Sequence, residues 1–366
     1  MILATRVGIM TFLHNDNYGS ALQAYALQRA MTALGADAEH IDYRPSAWEK
    51  LLNLLRSGNS PKLVLEGMRK RSVRAAEEGA RQKAASFAGF YQAHMRLSPV
   101  CTDHAALKKQ AEQYDLLLCG SDQIWSPTWL NSAYFLDFAA RGQRRAAYAP
   151  SLGVQEMPAA RKQAKMRRLL TGFERLSVRE AEGQRLLQTL LPGADIPVLP
   201  DPVCLLERAE WLDMARLPHR KHPFLLCYFL GENPAYWARV ERLKEKTGLR
   251  VKVIPLTAEA YRQPYDLCAG LAPEDFLGYI AEAAVVCTDS FHGTVFSTIF
   301  QTDFEVFRRD KEGDPTSRNS RIDNLLRRLE LDADLAEIPW ERVTARLAEM
   351  RGEGRAYLQQ LVEENI

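Results

Sequence analysis

Residues 7–35 read VGIMTFLHNDNYGSALQAYALQRAMTALG, and their reading decides the fold class. Residues 7–12 form an apolar run of strand length. A polar loop follows, His14-Asn15-Asp16-Asn17-Tyr18-Gly19, and a helical stretch opens at Ser20. Within that stretch Leu22, Tyr25, Ala26 and Arg29 step by three and four along one face, and Gly35 supplies a stop. Strand, polar turn and helix in this order are the first half of a βαβ unit.

The rhythm continues along the chain. Further strand-like runs lie at 115–119, 145–149, 176–178 and 196–199, then at 224–230, 250–254, 285–288 and 304–307. Helical segments fall between most of them, for example 234–247 and 273–283. Strands alternating with helices predict parallel sheets covered on both faces, so the class is α/β.

A chain of 366 residues is long for one hydrophobic core, and two domains are expected. The break falls near 200–222, where Pro200, Asp201 and Pro202 precede a short helix and the charged PHRKHP. This gives a first Rossmann-like domain over 1–205, a second over 206–338 and an amphipathic helix over 339–366. Residues of about 46–98, rich in Lys, Arg, Ala and Glu, read as a helical excursion from the first domain.

Composition removes several function classes. Apolar residues make up 46%, which suits a globular chain. Lys plus Arg is 48 against 46 acids, and a net charge of +2 gives no reason to invoke nucleic acid. The six cysteines (101, 119, 204, 227, 268 and 287) have no CxxC pairing, and several sit inside apolar runs. They read as reduced thiols rather than disulfides or a metal site. The apolar stretch of MILATRVGIM is too short for a signal peptide, and no run reaches the roughly 18 to 20 apolar residues of a membrane span. The expectation is a soluble, cytoplasmic protein, with peripheral work at the inner face of a membrane left open.

In open α/β sheets ligands bind beyond the carboxyl ends of the strands, so each polar loop after a strand is a candidate wall. The first is the loop with Asn15, Asp16, Tyr18 and Gly19, ahead of a helix whose N-terminus suits an anion or sugar hydroxyls. An ordinary cap made by Asn17 or Ser20 is the alternative, and no GxGxxG fingerprint is present. The second is CGSDQIW at 119–125, where Trp125 could stack on a sugar while Asp122 and Gln123 take paired hydroxyls. The competing reading buries Trp125 in a core. The third is LSVREAEG at 176–183: Arg179 could hold a carboxylate or phosphate, or simply pair with Glu180. The fourth is Ser317-Arg318-Asn319-Ser320-Arg321 at the start of a helix, where two arginines and two serines suit a phosphate or form a surface charge cluster.

The most pointed stretch is VVCTDSFHGTVFS at 285–297. His292 follows an apolar strand at the ligand-facing edge, where an imidazole can act as acid or base near neutral pH; a packed or hydrogen-bonded structural histidine is the alternative. Gly293 and Thr294 are expected to leave backbone N–H groups open to a phosphate.

Taken in order, these pieces resemble the polysaccharide pyruvyl transferase family. The matching stretches are NDNYGSALQAYALQ at 15–28, DLLLCGSDQIW at 115–125, YFLDF at 134–138 and AAYAPSLG at 146–153. LSVRE at 176–180, LPDPVCLL at 199–206, TDSFHGTVFSTIF at 288–300 and SRIDNLL at 320–326 complete the series. The resemblance implies two Rossmann-like domains facing a cleft, as in glycosyltransferase B folds. It implies phosphoenolpyruvate as donor, a sugar diol of a bacterial glycan or lipid-linked saccharide as acceptor, and a cyclic pyruvate ketal and phosphate as products. It implies neither cofactor nor metal. His292 matches the family's acid–base histidine, and Arg179 matches an arginine expected on the donor. One departure stands out: an arginine is expected two residues before the histidine, where this chain has Ser290. Arg318 and Arg321 are then the candidates for the donor's charge, with Ser290, Gly293 and Thr294 beside it. A nucleotide-sugar glycosyltransferase of the same architecture and a non-catalytic glycan- or phosphate-binding module are the rival readings.

Overall fold

The computed structural model describes residues 4–57, 78–219, 222–309, 319–331 and 337–363. The chain divides into two compact units. The first comprises residues 1–77, 91–205 and 350–366, and the second 78–90 and 206–349. The passage between them at 205/206 is where Pro200 and Pro202 punctuate the sequence. Part of the helical excursion, 78–90, thus clusters with the second unit, and the end of the chain clusters with the first.

The first unit holds a parallel sheet of four strands: β1 (Arg6–Met10), β2 (Asp37–His40), β3 (Leu116–Cys119) and β4 (Arg144–Ala147), in the order β2-β1-β3-β4. Its helices are α1 (Tyr18–Ala33), α2 (Ala47–Ser57), α3 (Glu78–His94, of which the end belongs here), α4 (His104–Ala111), α5 (Ala160–Leu170) and α6 (Ala181–Leu190). The side chains of the central strands alternate between two apolar clusters. Val7, Ile9, Leu116 and Leu118 pack with Leu27 and Met31 of α1, whereas Met10, Leu117 and Cys119 pack with Met166 of α5 and Leu186 of α6. Both faces are therefore covered, as a parallel sheet requires.

The expected strands at 176–178 and 196–199 are reduced to single bridges, Ala146 to Arg175 and Val178 to Val198. Pro197 and Pro200 bring no backbone N–H to a ladder there, so pairing cannot propagate.

The second unit contains α7 (Arg208–Met214), β5 (Phe224–Tyr228), α8 (Pro234–Thr247), β6 (Arg250–Val253), α9 (Ala258–Tyr261), β7 (Asp266–Leu267), α10 (Pro273–Glu282), β8 (Val285–Thr288), α11 (Phe291–Phe300), β9 (Asp303–Val306) and α12 (Ser320–Arg328). The long α13 (Trp340–Glu363) contributes residues to both units. The sheet is again parallel, in the order β7-β6-β5-β8-β9. Leu225, Cys227, Val253 and Cys287 meet Tyr236 and Val240 of α8, and Tyr228 meets Phe276 of α10 edge-on.

In each sheet the strand order reverses beside the first strand, between β1 and β3 and between β5 and β8. Such a switch point splays the following loops apart and opens a crevice at the carboxyl edge. All six cysteines are buried and unbridged, and burial pushes the Cys101, Cys119 and Cys227 thiols up. Among the described residues no helix is long and apolar enough to cross a membrane.

Candidate functional site

At the first switch point the loop after β1 and the loop after β3 are tied together. Asn17 caps α1, its side chain accepting from the Ser20 amide at 3.2 Å, so the helix opens at Tyr18 rather than at Ser20. The freed Ser20 hydroxyl donates to Asp122 at 2.5 Å, and the Thr11 hydroxyl donates to the Ser121 carbonyl at 3.0 Å. His14, Asp16 and Asp122 all take left-handed backbone (φ 56°, 50° and 68°). Non-glycine residues rarely adopt that region, and clusters of it mark loops shaped for something other than stability. Asn15 and His14 are exposed, and Asp16, Asn17, Asp122 and Gln123 are half-buried around them.

Three residues expected here point elsewhere. Trp125 is 0% exposed. It stacks on Phe135 with ring centroids 5.3 Å apart, takes Phe173 at its edge and donates to the Tyr134 carbonyl at 3.0 Å. No sugar can stack on it; it belongs to the core. Tyr18 and Gly19, in the first turn of α1, are buried as well.

Arg179 is also recast. It is 4% exposed, with Nε on Glu180 at 2.8 Å and Nη1 on Asp201 at 2.6 Å. Burial alone would lower its pKa, but Glu180, Asp201 and Asp122 raise it far above the ordinary arginine value. A buried guanidinium that bridges Glu180 and Asp201 ties these loops together. Ser121 borders the same network, its hydroxyl oxygen 3.3 Å from Asp201 Oδ2 and 2.8 Å from the Ala149 carbonyl.

The second switch point contains the histidine. His292 sits in the first turn of α11, 7% exposed, its ring edge-on to Phe291 at 5.1 Å. Ser290 is the buried N-cap, its hydroxyl accepting from Gly293 N at 3.3 Å, while Thr294 N donates to the Ser290 carbonyl at 3.0 Å. The Gly293 and Thr294 amides are therefore spent inside the helix, against the expectation that they face a phosphate. Gly293 serves close packing instead: a Cβ there would come within 2.5 Å of Thr288 Oγ1.

Immediately before the cap lies Asp289, 3% exposed. Its carboxylate accepts from the Leu230 and Gly231 amides at 2.7 and 2.8 Å, which stitches the β5 loop to the β8 loop. Arg309, just past β9, places Nε on Asp289 Oδ2 at 3.1 Å and Nη2 on the Asp289 carbonyl at 2.9 Å. Gly231 makes room for both, since a Cβ there would meet Arg309 at 2.8 Å and Asp289 at 2.9 Å. Sequence reasoning missed Arg309. The available signal was an arginine directly after an apolar strand at the ligand-facing edge. Arg321 lies half-buried in the first turn of α12. Arg318 lies outside the described residues.

Among the described residues no group of three His, Cys, Asp or Glu is placed to hold a metal ion. Residues 17–310 match the sequence model of the family described as polysaccharide pyruvyl transferase. The chain belongs to that family. It is accordingly a transferase, and the matched span runs from the cap of α1 through Asp122, Asp289 and His292 to Arg309. No curated protein matches this polysaccharide pyruvyl transferase family member in sequence.

Among solved structures it is similar to a putative UDP-N-acetylglucosamine 2-epimerase from Listeria monocytogenes, at 12% identity and TM-score 0.50 over 98% of this chain and 91% of that one. It is similar also to the UDP-GlcNAc 2-epimerase from Neisseria meningitidis bound to UDP-GlcNAc, at 10% identity and TM-score 0.50 over 98% of both chains. Likeness at such identity concerns the fold alone, which is the glycosyltransferase B-like class with two Rossmann-like α/β units.

Proposed function

We propose that this enzyme moves the pyruvyl group of phosphoenolpyruvate onto two hydroxyls of one sugar in a glycan or lipid-linked saccharide, forming a cyclic ketal and releasing phosphate. Family membership sets the reaction class. The observation that carries the finer reading is His292, nearly buried at the carboxyl edge of a parallel sheet beside the Asp289–Arg309 pair.

The chemistry asks for little more. Protonation of the donor's methylene carbon turns it into a methyl group and leaves C2 electron-poor, and a first sugar hydroxyl adds there. The second hydroxyl then displaces phosphate from C2. Of the two hydroxyl protons, one balances the new methyl C–H and the other leaves with phosphate or solvent. His292 is the acid–base group for the donor carbon. Arg309 stands in for the arginine that Ser290 replaces, because its bond to the Asp289 carbonyl brings a guanidinium next to that position. Its Nη1 makes no hydrogen bond among the described residues, which leaves a donor for phosphate or carboxylate. No cofactor enters this scheme.

The test is phosphate release from phosphoenolpyruvate with a panel of p-nitrophenyl galactosides, glucosides and mannosides. Acceptor-dependent release that falls by roughly 100-fold or more in His292→Ala supports the assignment. Absence of both release and phosphoenolpyruvate binding, with tight binding of a uridine or guanosine diphosphate instead, overturns it in favour of a nucleotide-sugar transferase.

A further inference from the structure

Trp125 lies in the core, but the same loop after β3 carries a second indole four residues on. Trp129 is 43% exposed. Among the described residues it makes no hydrogen bond and no ring contact, so its Nε1–H has no protein acceptor. A lone exposed apolar residue is ordinary on a protein surface. Here, however, the surrounding loop is fixed on both sides of the tip. Residues 124–127 and Leu130 are buried, so only Thr128 and Trp129 project from this stretch. The Ser126 amide donates to the Gln123 carbonyl at 3.2 Å, and the Ser126 hydroxyl accepts from the Thr128 amide at 3.3 Å. Lys162 Nζ donates to the Pro127 carbonyl at 2.8 Å. Just past the tip Asn131 caps a 3-10 turn over Ser132–Phe135, its side chain accepting from the Ala133 amide at 3.1 Å.

The same anchors locate the tip. Lys162 is in the first turn of α5, the helix that follows β4. Tyr134 meets Phe12, from the loop after β1, with ring centroids 4.9 Å apart. The loops that leave parallel strands, and the first turns of the helices they feed, lie at the carboxyl edge of the sheet. Trp129 therefore stands at the ligand-facing edge of the first unit, in the loop that also carries half-buried Asp122 and Gln123. Every residue in this arrangement belongs to that unit.

We propose that Trp129 is a stacking platform for a pyranose ring of the acceptor glycan, with the exposed Thr128 hydroxyl beside it. The inference rests on the glycan acceptor of the proposed transfer and needs no group of the second unit. An indole offers a broad apolar face and a single hydrogen-bond donor at its edge. A pyranose offers the complement, an apolar face of C–H groups rimmed by hydroxyls. Stacking removes from water apolar surface that folding leaves exposed, and a loop already held in place adds little ordering cost on binding.

The experiment titrates the full chain, Trp129→Ala and Trp129→Phe with methyl glycosides of galactose, glucose and mannose and their 2-acetamido forms. Saturation-transfer NMR and calorimetry read the binding; methyl aglycones are used because a p-nitrophenyl ring would itself stack on an indole. A saccharide that binds the wild type should bind Trp129→Ala roughly tenfold more weakly or worse. Trp129→Phe should fall between, since a phenyl ring keeps a face and lacks the N–H. The thermal midpoint should not move, because Trp129 is not among the side chains packed on the core. Equal saccharide affinity in the wild type and Trp129→Ala overturns the platform, as does a wild type that binds no saccharide. So does a Trp129→Ala variant that loses uridine diphosphate instead, or one that changes only its sedimentation mass. Saccharide binding that depends on Trp129, without phosphate release from phosphoenolpyruvate, upholds the platform and removes the ketal reading alone.

Discussion

His40 provides a direct test of the packing argument in the first unit. It ends β2, is 0% exposed, and its Nε2 lies 2.9 Å from the Ala24 carbonyl of α1. Its Nδ1 is buried without a hydrogen-bond partner among the described residues. Burial lowers its pKa from 6.5 to about 4, the Ala24 contact offsetting only part of that effect. The unfolded chain therefore binds a proton more readily than the folded one. Stability from this residue is complete above pH 6.5 and is lost as pH falls through the interval down to about 4.

Each pH unit inside that interval is worth about 1.4 kcal/mol, so the loss between pH 7 and pH 4.5 comes to about 2.5 kcal/mol. Urea unfolding of the wild type and of His40→Gln at both pH values measures it. The glutamine can donate to the Ala24 carbonyl and does not titrate, so other groups cancel in the comparison. The wild type should lose about 2.5 kcal/mol more than the variant on acidification. Equal losses in the two proteins would mean that His40 is hydrated or mobile in the folded state, and the burial argument would be refuted.

Two further outcomes follow from the sites. Arg309→Leu strands the buried Asp289 carboxylate and should cost about 3 kcal/mol or more in urea unfolding, while weakening phosphoenolpyruvate binding by calorimetry. A variant that binds the donor like the wild type would show that Arg309 only holds the loops. Trp125→Phe should lower stability with KM for the glycoside unchanged, and Trp125→Ala should cost roughly 3–5 kcal/mol in thermal or urea unfolding. A selective rise in glycoside KM for the phenylalanine variant would return Trp125 to the acceptor.

The α/β class was legible because both central strands announce themselves: residues 7–10 and 285–288 are apolar runs that stop at a polar loop and hand over to a helix. Boundaries were harder. Asn17 or Ser20 could each cap α1; it is Asn17 that accepts from the Ser20 amide, while the Ser20 hydroxyl goes to Asp122, far along the chain. Trp125 illustrates a limit of composition. GSDQIW reads the same whether the indole faces a sugar or lies against Phe135, because the rings that enclose it come from other loops. Arg179 is comparable: Glu180 beside it hinted at a pair, but Asp201 closes the network from a distance. Arg309 escaped notice since it owes its place to a partner on another strand end, Asp289. The place of His292, in the first turn of the helix after β8, was legible because it is local.

The two sheets share a construction detail. In the first, Asp122 after β3 accepts from Ser20, a side chain in the first turn of the helix following β1. In the second, Asp289 after β8 accepts from the amides following β5. Each time an aspartate spans the gap where neighbouring connections diverge to opposite faces. Its side chain is short enough to stay near its own strand, and its two acceptor-only oxygens suit donors arriving from the next one. The chain shows no internal sequence repeat, so the recurrence reflects a shared geometric problem rather than visible copying. For other doubly wound proteins, the lesson concerns how an acidic residue at this place is interpreted. Standing beside a substrate pocket, it resembles a catalytic carboxylate, yet a keystone that keeps the crevice open has the same address.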